Sequence, residues 1–329
     1  MRKDIRTVTV GVDGSRAGLD AADWAAREAE RRRLTLRLLH AGGEPTASAS
    51  GAAPGSVPRP RRSRVRVRPG PELSAAADSE LQRGILDRAA VQLSYAHPTL
   101  QIAARRTDTP ALPALLEAAT ESETVVLGSH GFGGFSGFLV GSVALAVAAG
   151  AACPVVLVRA GELPVDERVP ADTGDDTTSP TRTPYLLPVV LGLDLEEPAD
   201  ELIGYAFGAA GVRAAPLHVV HTWTLPPLSP PSPLRDGSGG AGAPGDTAAR
   251  QDAREQSLAA VLGPWRHKFP ETEVSEEVVY GHAGHHLLKA STRAGLLVVG
   301  RSVAGDGLGR TAHSMVHHSA CPVAVVPHD

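Results

Sequence analysis

The sequence predicts an α/β protein of two tandem domains, each a five-stranded parallel sheet with helices on both faces. Three observations carry that prediction. The chain repeats itself over about half its length, and β-branched runs alternate with helix-like stretches inside each repeat. In addition, 42% of its 329 residues are hydrophobic, which at roughly 100–200 residues per domain suits two cores better than one.

The repeat is read directly from the residues. Val8-Thr-Val-Gly-Val-Asp13 resembles Val189-Val-Leu-Gly-Leu-Asp194, and the same spacing places Trp24 and His40 after the first aspartate, Tyr205 and His221 after the second. Val125-Val-Leu-Gly128 matches Leu297-Val-Val-Gly300. Cys153-Pro-Val-Val-Leu-Val158 matches Cys321-Pro-Val-Ala-Val-Val326, with Gly141 and Gly309 thirteen residues before the respective prolines. A unit this long is a duplicated domain, not a solenoid repeat. The expected boundaries are 1–159 and 185–329, joined by a linker at 160–184 rich in Pro, Thr and Asp. Insertions are expected after the second strand of each half: Gly42 to Pro71, with Arg59, Arg61, Arg62, Arg64, Arg66 and Arg68, and Thr224 to Asp246, rich in Pro, Gly and Ser.

Within the first half, Thr7–Asp13 has the β-branched content of a strand. Ala17–Arg33 follows as a helix, with Leu19, Ala22, Ala26 and Ala29 at helical spacing. Leu34–His40 reads as the second strand. A helix then runs through Leu81, Ile85, Ala89 and Leu93, followed by a strand at Leu100–Ala104 and a helix around Leu112, Leu115 and Leu116. Thr124–Gly128 and Val155–Val158 are short apolar runs, the mark of strands buried on both faces, and Ser142–Ala152 is the helix between them. Strand–helix alternation of this kind builds a parallel sheet with right-handed crossovers. Ligands bind such sheets at the carboxyl ends of the strands.

Composition excludes several classes of function. Net charge is −4, the sum of +5 in residues 1–160 and −9 in the remainder, so the chain lacks the basic excess of a dedicated nucleic-acid binder. Cys153 and Cys321 are too few for a disulfide framework or a structural zinc site, and a reducing compartment suits them. The stretch Phe132 to Val158 is uncharged and longer than the ~20 residues of a membrane helix. Glycines crowd its beginning and Pro154 divides it, so it reads as a loop, a helix and a buried strand. With no leader-like segment at the N-terminus, a cytoplasmic protein is expected.

The candidate chemistry lies at the strand ends. Gly128-Ser-His130-Gly131, then nine residues, then Gly141-Ser142, follows a buried strand and opens a helix. Glycines admit close backbone approach, and helix N-terminal amides carry unpaired donors and partial positive charge, which suits a phosphate chain. A P-loop is excluded: the only lysines are Lys3, Lys268 and Lys289, and none follows a glycine. Asp13 ends the first strand on the same edge, where a carboxylate can take a ribose hydroxyl or a metal ion.

This glycine spacing resembles the nucleotide-binding pattern of the universal stress protein family. Val-Gly-Val-Asp13-Gly-Ser, Trp24, the turn at 128–131 and the Cys-Pro-Val-Val-Leu-Val segment resemble it in the same order. The resemblance implies a Rossmann-like sheet of order 3-2-1-4-5, ATP or a related nucleotide in the crevice, dimerisation through the last strand, and a role in stress survival and signalling. It also implies that Ala41 meets adenine through its backbone, that Asp13 binds ribose or Mg with the nucleotide, and that Gly128, Gly131, Gly141, Ser142 and Val143 cradle phosphates. His130 stands where the family more often has arginine. The second half keeps Asp194 and Gly300, has Val303 in place of the middle glycine, and carries Gly309, Arg310 and Thr311 at its helix start. Its site is expected to be degenerate, with Arg310 the one feature able to contact a phosphate directly.

The other motifs carry less. The two overlapping Gly-x-Gly-x-x-Gly matches between Gly237 and Gly245 follow no strand. The pairs His282/His286 and His313/His317 have metal-ligand spacing on a helix but lack a third ligand in register, and Trp24 and Tyr205 read as core aromatics. No nucleophile elbow is present. The expected function is therefore a regulatory protein that binds ATP in its first domain, with the two domains forming an intramolecular pseudo-dimer or the chain a homodimer. A slow or self-phosphorylating ATPase and a nucleotide-free interaction scaffold are the alternatives.

Overall fold

The computed structural model describes residues 7–43, 71–129, 140–168, 186–224, 244–305 and 307–329. The first half contains β1 (Thr7–Gly11), α1 (Arg16–Arg32), β2 (Thr35–Gly43), α2 (Pro71–Ala96), β3 (Ile102–Pro110), α3 (Ala111–Ala119), β4 (Thr124–Ser129), α4 (Ser142–Gly150) and β5 (Val155–Arg159). The second contains β6 (Val189–Gly192), α5 (Asp200–Arg213), β7 (Leu217–Trp223), α6 (Pro244–Lys268), β8 (Val274–Tyr280), α7 (Ala283–Ser291), β9 (Leu296–Ser302), α8 (Gly309–His318) and β10 (Val323–His328).

The strands among the described residues join one ten-stranded sheet of order β3-β2-β1-β4-β5-β10-β9-β6-β7-β8. Pairing is parallel within each half. The junction is different: β5 and β10 run antiparallel, with Val323 opposite Leu157 and Val325 opposite Val155. The strands of the two halves therefore point in opposite directions, and their carboxyl ends open on opposite edges of the sheet.

Successive side chains on a strand point to opposite faces, and both faces here are covered. Val156 and Val158 join Val8, Val10, Trp24 and Phe207 in one core, while Val155 and Leu157 join Leu115, Val125, Val147 and Met315 in the other. The strand expected at Leu100–Ala104 extends to Pro110. Its added residues, Arg105 to Pro110, are polar or half-exposed because β3 lies at the sheet edge, where one side needs no apolar cover.

α1 begins where Ser15 accepts a hydrogen bond from Gly18 N–H at 3.1 Å, a serine N-cap. Six of its nine buried residues are alanine, which lets the helix lie close on the sheet. A Cβ on Gly128 would run into the backbone of that first turn, 2.8 Å from Gly18 N and closer still to the Ala17 carbonyl. Gly128 thus serves helix–strand packing as well as whatever approaches it from the cleft.

Charged groups tie the halves together. Glu28 is fully buried on α1 and meets Arg213 of α5 at 2.7 Å and Arg32 at 2.6 Å. Arg213 in turn lies 5.4 Å from the Trp24 ring centroid, and Arg32 lies 5.4 Å from that of Tyr205. The two aromatics occupy equivalent places in the repeat, as do the two arginines, so the cation–π pairs are reciprocal across the junction. Glu28 breaks the symmetry, since the equivalent residue is Ala209. Burial works to raise its pKa, but Arg213, Arg32 and Arg31 outweigh it and hold the carboxyl at about 2. A second crossing pair caps helices: Arg159 donates to the Ser319 and Ala320 carbonyls beyond α8, and Arg301 of β9 to the Ala151 carbonyl at the end of α4.

The start of the expected linker is docked. Gly161 N–H donates to Asp20, buried Glu167 pairs with Arg27 and Arg31, and Leu187 N–H donates to the Glu167 carbonyl. Residues 169–185, the arginine run 59–68 and the glycine motifs at 237–245 lie mostly outside the described residues. Among the described residues no helix is long and apolar enough to cross a membrane.

Candidate functional site

The carboxyl ends of β1, β2 and β4 and the N-terminal turns of α1, α3 and α4 enclose a cleft of about 270 Å³. Its walls are apolar near the sheet, with Val12, Leu39, Ala111, Leu115 and Leu127. Its outer end is backbone and small polar groups, with Ser15, Gly18, Gly128, Gly141 and Ser142.

Asp13 is held in place before any ligand arrives. Its Oδ1 accepts from Ser15 N–H at 2.9 Å and from the Ser15 hydroxyl at 2.6 Å, while that hydroxyl oxygen accepts from Gly18 N–H. Gly18 is obligatory for this arrangement, since a Cβ there would stand 2.6 Å from Asp13 Oδ1. Oδ2 is left for a ligand, having no partner among the described residues. Across the cleft, Gly141 forms the extended N-cap of α4 with no side-chain cap. The first intrahelical bond it accepts is from Leu145 N–H, so the amides of Ser142, Val143 and Ala144 are the orphan donors of the helix start. A Cβ on Gly141 would meet nothing within 4 Å.

Asp13, Ala41, Gly128, Gly141, Ser142 and Val143 therefore line one cleft. His130 and Gly131 lie outside the described residues. Sequence reasoning missed Ser15 and Gly18, although Asp13-Gly-Ser15-Arg-Ala-Gly18 holds the spacing of a capped helix start that could have disclosed them.

A second cleft of about 250 Å³ occupies the equivalent place in the other half, on the opposite edge of the sheet. Asp194, Gly300 and Thr311 line it, together with Glu197, Thr222 and His328. Gly309 and Arg310 do not. They border a separate shallow depression with His313, Ser314 and His318, because successive helical residues point about 100° apart and Thr311 and Ala312 take the cleft side. Val303 is likewise absent from the cleft and half-exposed; the side chains against Gly300 are His328 and Leu202. Both were missed in the sequence.

Among the described residues no three His, Cys, Asp or Glu side chains are placed to hold a metal ion. Cys153 and Cys321 are free and buried, and burial pushes the Cys153 thiol up to about 12 and raises that of Cys321 as well. Neither is a thiolate nucleophile at neutral pH.

Comparison with known proteins shows what this chain is similar to. The family model described as "Universal stress protein family" matches residues 4–159 and 187–327. A universal stress protein of Mycobacterium tuberculosis is 28% identical over 331 residues, covering 97% of this chain and 96% of the relative. The crystal structure of a universal stress protein from Archaeoglobus fulgidus DSM 4304 aligns over 100% of both chains with a TM-score of 0.63 at 16% identity. A universal stress protein solved in complex with cAMP matches 47% of this chain and 98% of its own, with 25% identity and a TM-score of 0.31.

Proposed function

From the premise that the chain belongs to the universal stress protein family, we propose that it binds ATP in the first cleft and acts as a regulatory module of the stress response. The observation that carries this reading is the pairing of a pre-oriented carboxylate, Asp13, with the uncapped amide end of α4 across an apolar-walled cleft. The aliphatic walls suit a flat base, with the Ala41 backbone at the strand end beside it. Asp13 Oδ2 takes the ribose hydroxyls. The phosphates lie at Gly141, Ser142 and Val143, where orphan N–H groups and the helix dipole favour negative charge, with Gly128 near the end of β4 beside them; His130 and Gly131, expected to share in the cradle, lie outside the described residues. Magnesium would be carried in with the phosphates, since the described residues offer no cluster of protein ligands of its own for it.

The proposed domains are 1–159 and 185–329 with 160–184 between them. In this reading the β5–β10 pairing is the intramolecular counterpart of a dimer, and the protein works in the cytoplasm. Calorimetric titration of the full chain with ATP tests the function: one site per chain is expected, abolished by Gly141→Val. Binding that survives that substitution, or no binding in the parent, overturns it.

A further inference from the structure

The second cleft differs from the first mainly at its outer end. Its sheet end keeps the first cleft's lining position by position: Leu193 for Val12, Val220 for Leu39, Ala283 for Ala111, Leu287 for Leu115, Val299 for Leu127 and Gly300 for Gly128. Asp194 is also held as Asp13 is, with its Oδ1 accepting from Glu196 N–H at 3.0 Å. Thr222 takes the place of Ala41 and adds a hydroxyl.

The outer end is rebuilt. In the first cleft four consecutive residues of the helix start, Gly141 to Ala144, form the lining; in the second only Thr311 and Ala312 do, and Arg310 turns outward. The serine that caps α1 becomes Glu196, and Arg16 becomes Glu197, a residue that lines the cleft together with Asp194. Not one lysine or arginine among the described residues lines it. Two carboxylates with no lysine or arginine to offset them repel a phosphate chain, and the His328 ring, the one basic side chain in the lining among the described residues, sits against Gly300.

We propose that the second cleft binds an uncharged adenine nucleoside and rejects its phosphorylated forms, so that one chain takes ATP at one sheet edge and adenosine at the other. The identity of the base rests on the reading of the first cleft; the rejection of phosphate rests on Glu197, Asp194 and the outward turn of Arg310.

The test is calorimetry on the full chain with adenosine added after saturation with ATP. One further site for adenosine is expected, weakened at least about tenfold by Asp194→Ala, the loss of a charge-assisted hydrogen bond, and indifferent to Asp13→Ala. Asp194 is exposed, so the substitution leaves the core untouched, and Asp194→Asn provides a second, near-isosteric variant. Glu197→Arg should raise the ATP stoichiometry from one to two. Adenosine uptake blocked by saturating ATP, two ATP sites in the parent, or adenosine binding unchanged in both Asp194 variants each overturns the proposal. If ATP fails to bind while adenosine binds and requires Asp194, the first-cleft reading is wrong and this one stands. Failure of both ligands removes both readings.

Discussion

Replacing Glu28 by glutamine measures how firmly the buried ion cluster joins the two halves. The carboxylate is fully buried and stands 2.6 Å from Arg32 and 2.7 Å from Arg213, on opposite sides of the junction. Burial alone would raise its pKa; instead the arginines bring it from 4.5 to about 2. Each pH unit of such a difference corresponds to about 1.4 kcal/mol, so the ionised form contributes on the order of 3 kcal/mol to the folded state. Breaking a buried pair by removing one partner costs roughly 3–5 kcal/mol, which agrees. Because the folded-state value is depressed, this stability is fully present above the unfolded value of 4.5 and is lost as pH falls through about 2. Urea unfolding of parent and Glu28→Gln at neutral pH should show the variant weaker by about 3 kcal/mol. The gap should narrow as the titration is carried down below pH 4.5. A difference under about 1 kcal/mol at neutral pH, or the same acid sensitivity in both proteins, refutes the reasoning.

Gly128→Ala should lower the melting temperature of the ligand-free protein, since its Cβ meets α1 backbone, whereas Gly141→Val, at an open position, should lower it by no more than a weakened N-cap allows and remove ATP binding. Thermal unfolding and calorimetry on the two variants separate the packing glycine from the cradle glycine. Asp13→Ala should weaken ATP about tenfold or more, the loss of a charge-assisted hydrogen bond; unaltered affinity rules out a ribose contact at that carboxylate. A fragment of residues 1–160 lacks β10 and bares the apolar edge of β5, so it should self-associate. Light scattering that fits a monomer at micromolar concentration counts against that expectation.

Much of this protein is local and hence readable in the residue string. Burial on both faces makes strands such as Val155–Val158 continuous apolar runs, and a helix against the sheet shows its alanines at helical spacing. The duplication doubles every such signal. Part of the first cleft was legible for the same reason: Asp13, Gly128 and Gly141 sit at strand and helix ends, where local backbone geometry restricts the choice of residue. What the sequence left open depends on partners far along the chain. Neither Glu28 nor Arg213 announces its match, because an ion pair between residues so distant leaves no periodic trace. Arg310 has the chemistry of a phosphate ligand, and only the rotation of α8 turns it outward. His328, at the end of the last strand, meets Gly300 only because β10 lies beside β9. Periodicity and capping thus determined most of the elements and pointed to Asp13 and the glycines of the first cleft, whereas Ser15 and Gly18 in that cleft, the antiparallel joining of β5 to β10, the buried charge cluster and the second cleft's acidic end emerged only with packing, since these depend on directions and distances that exist only once the elements have docked.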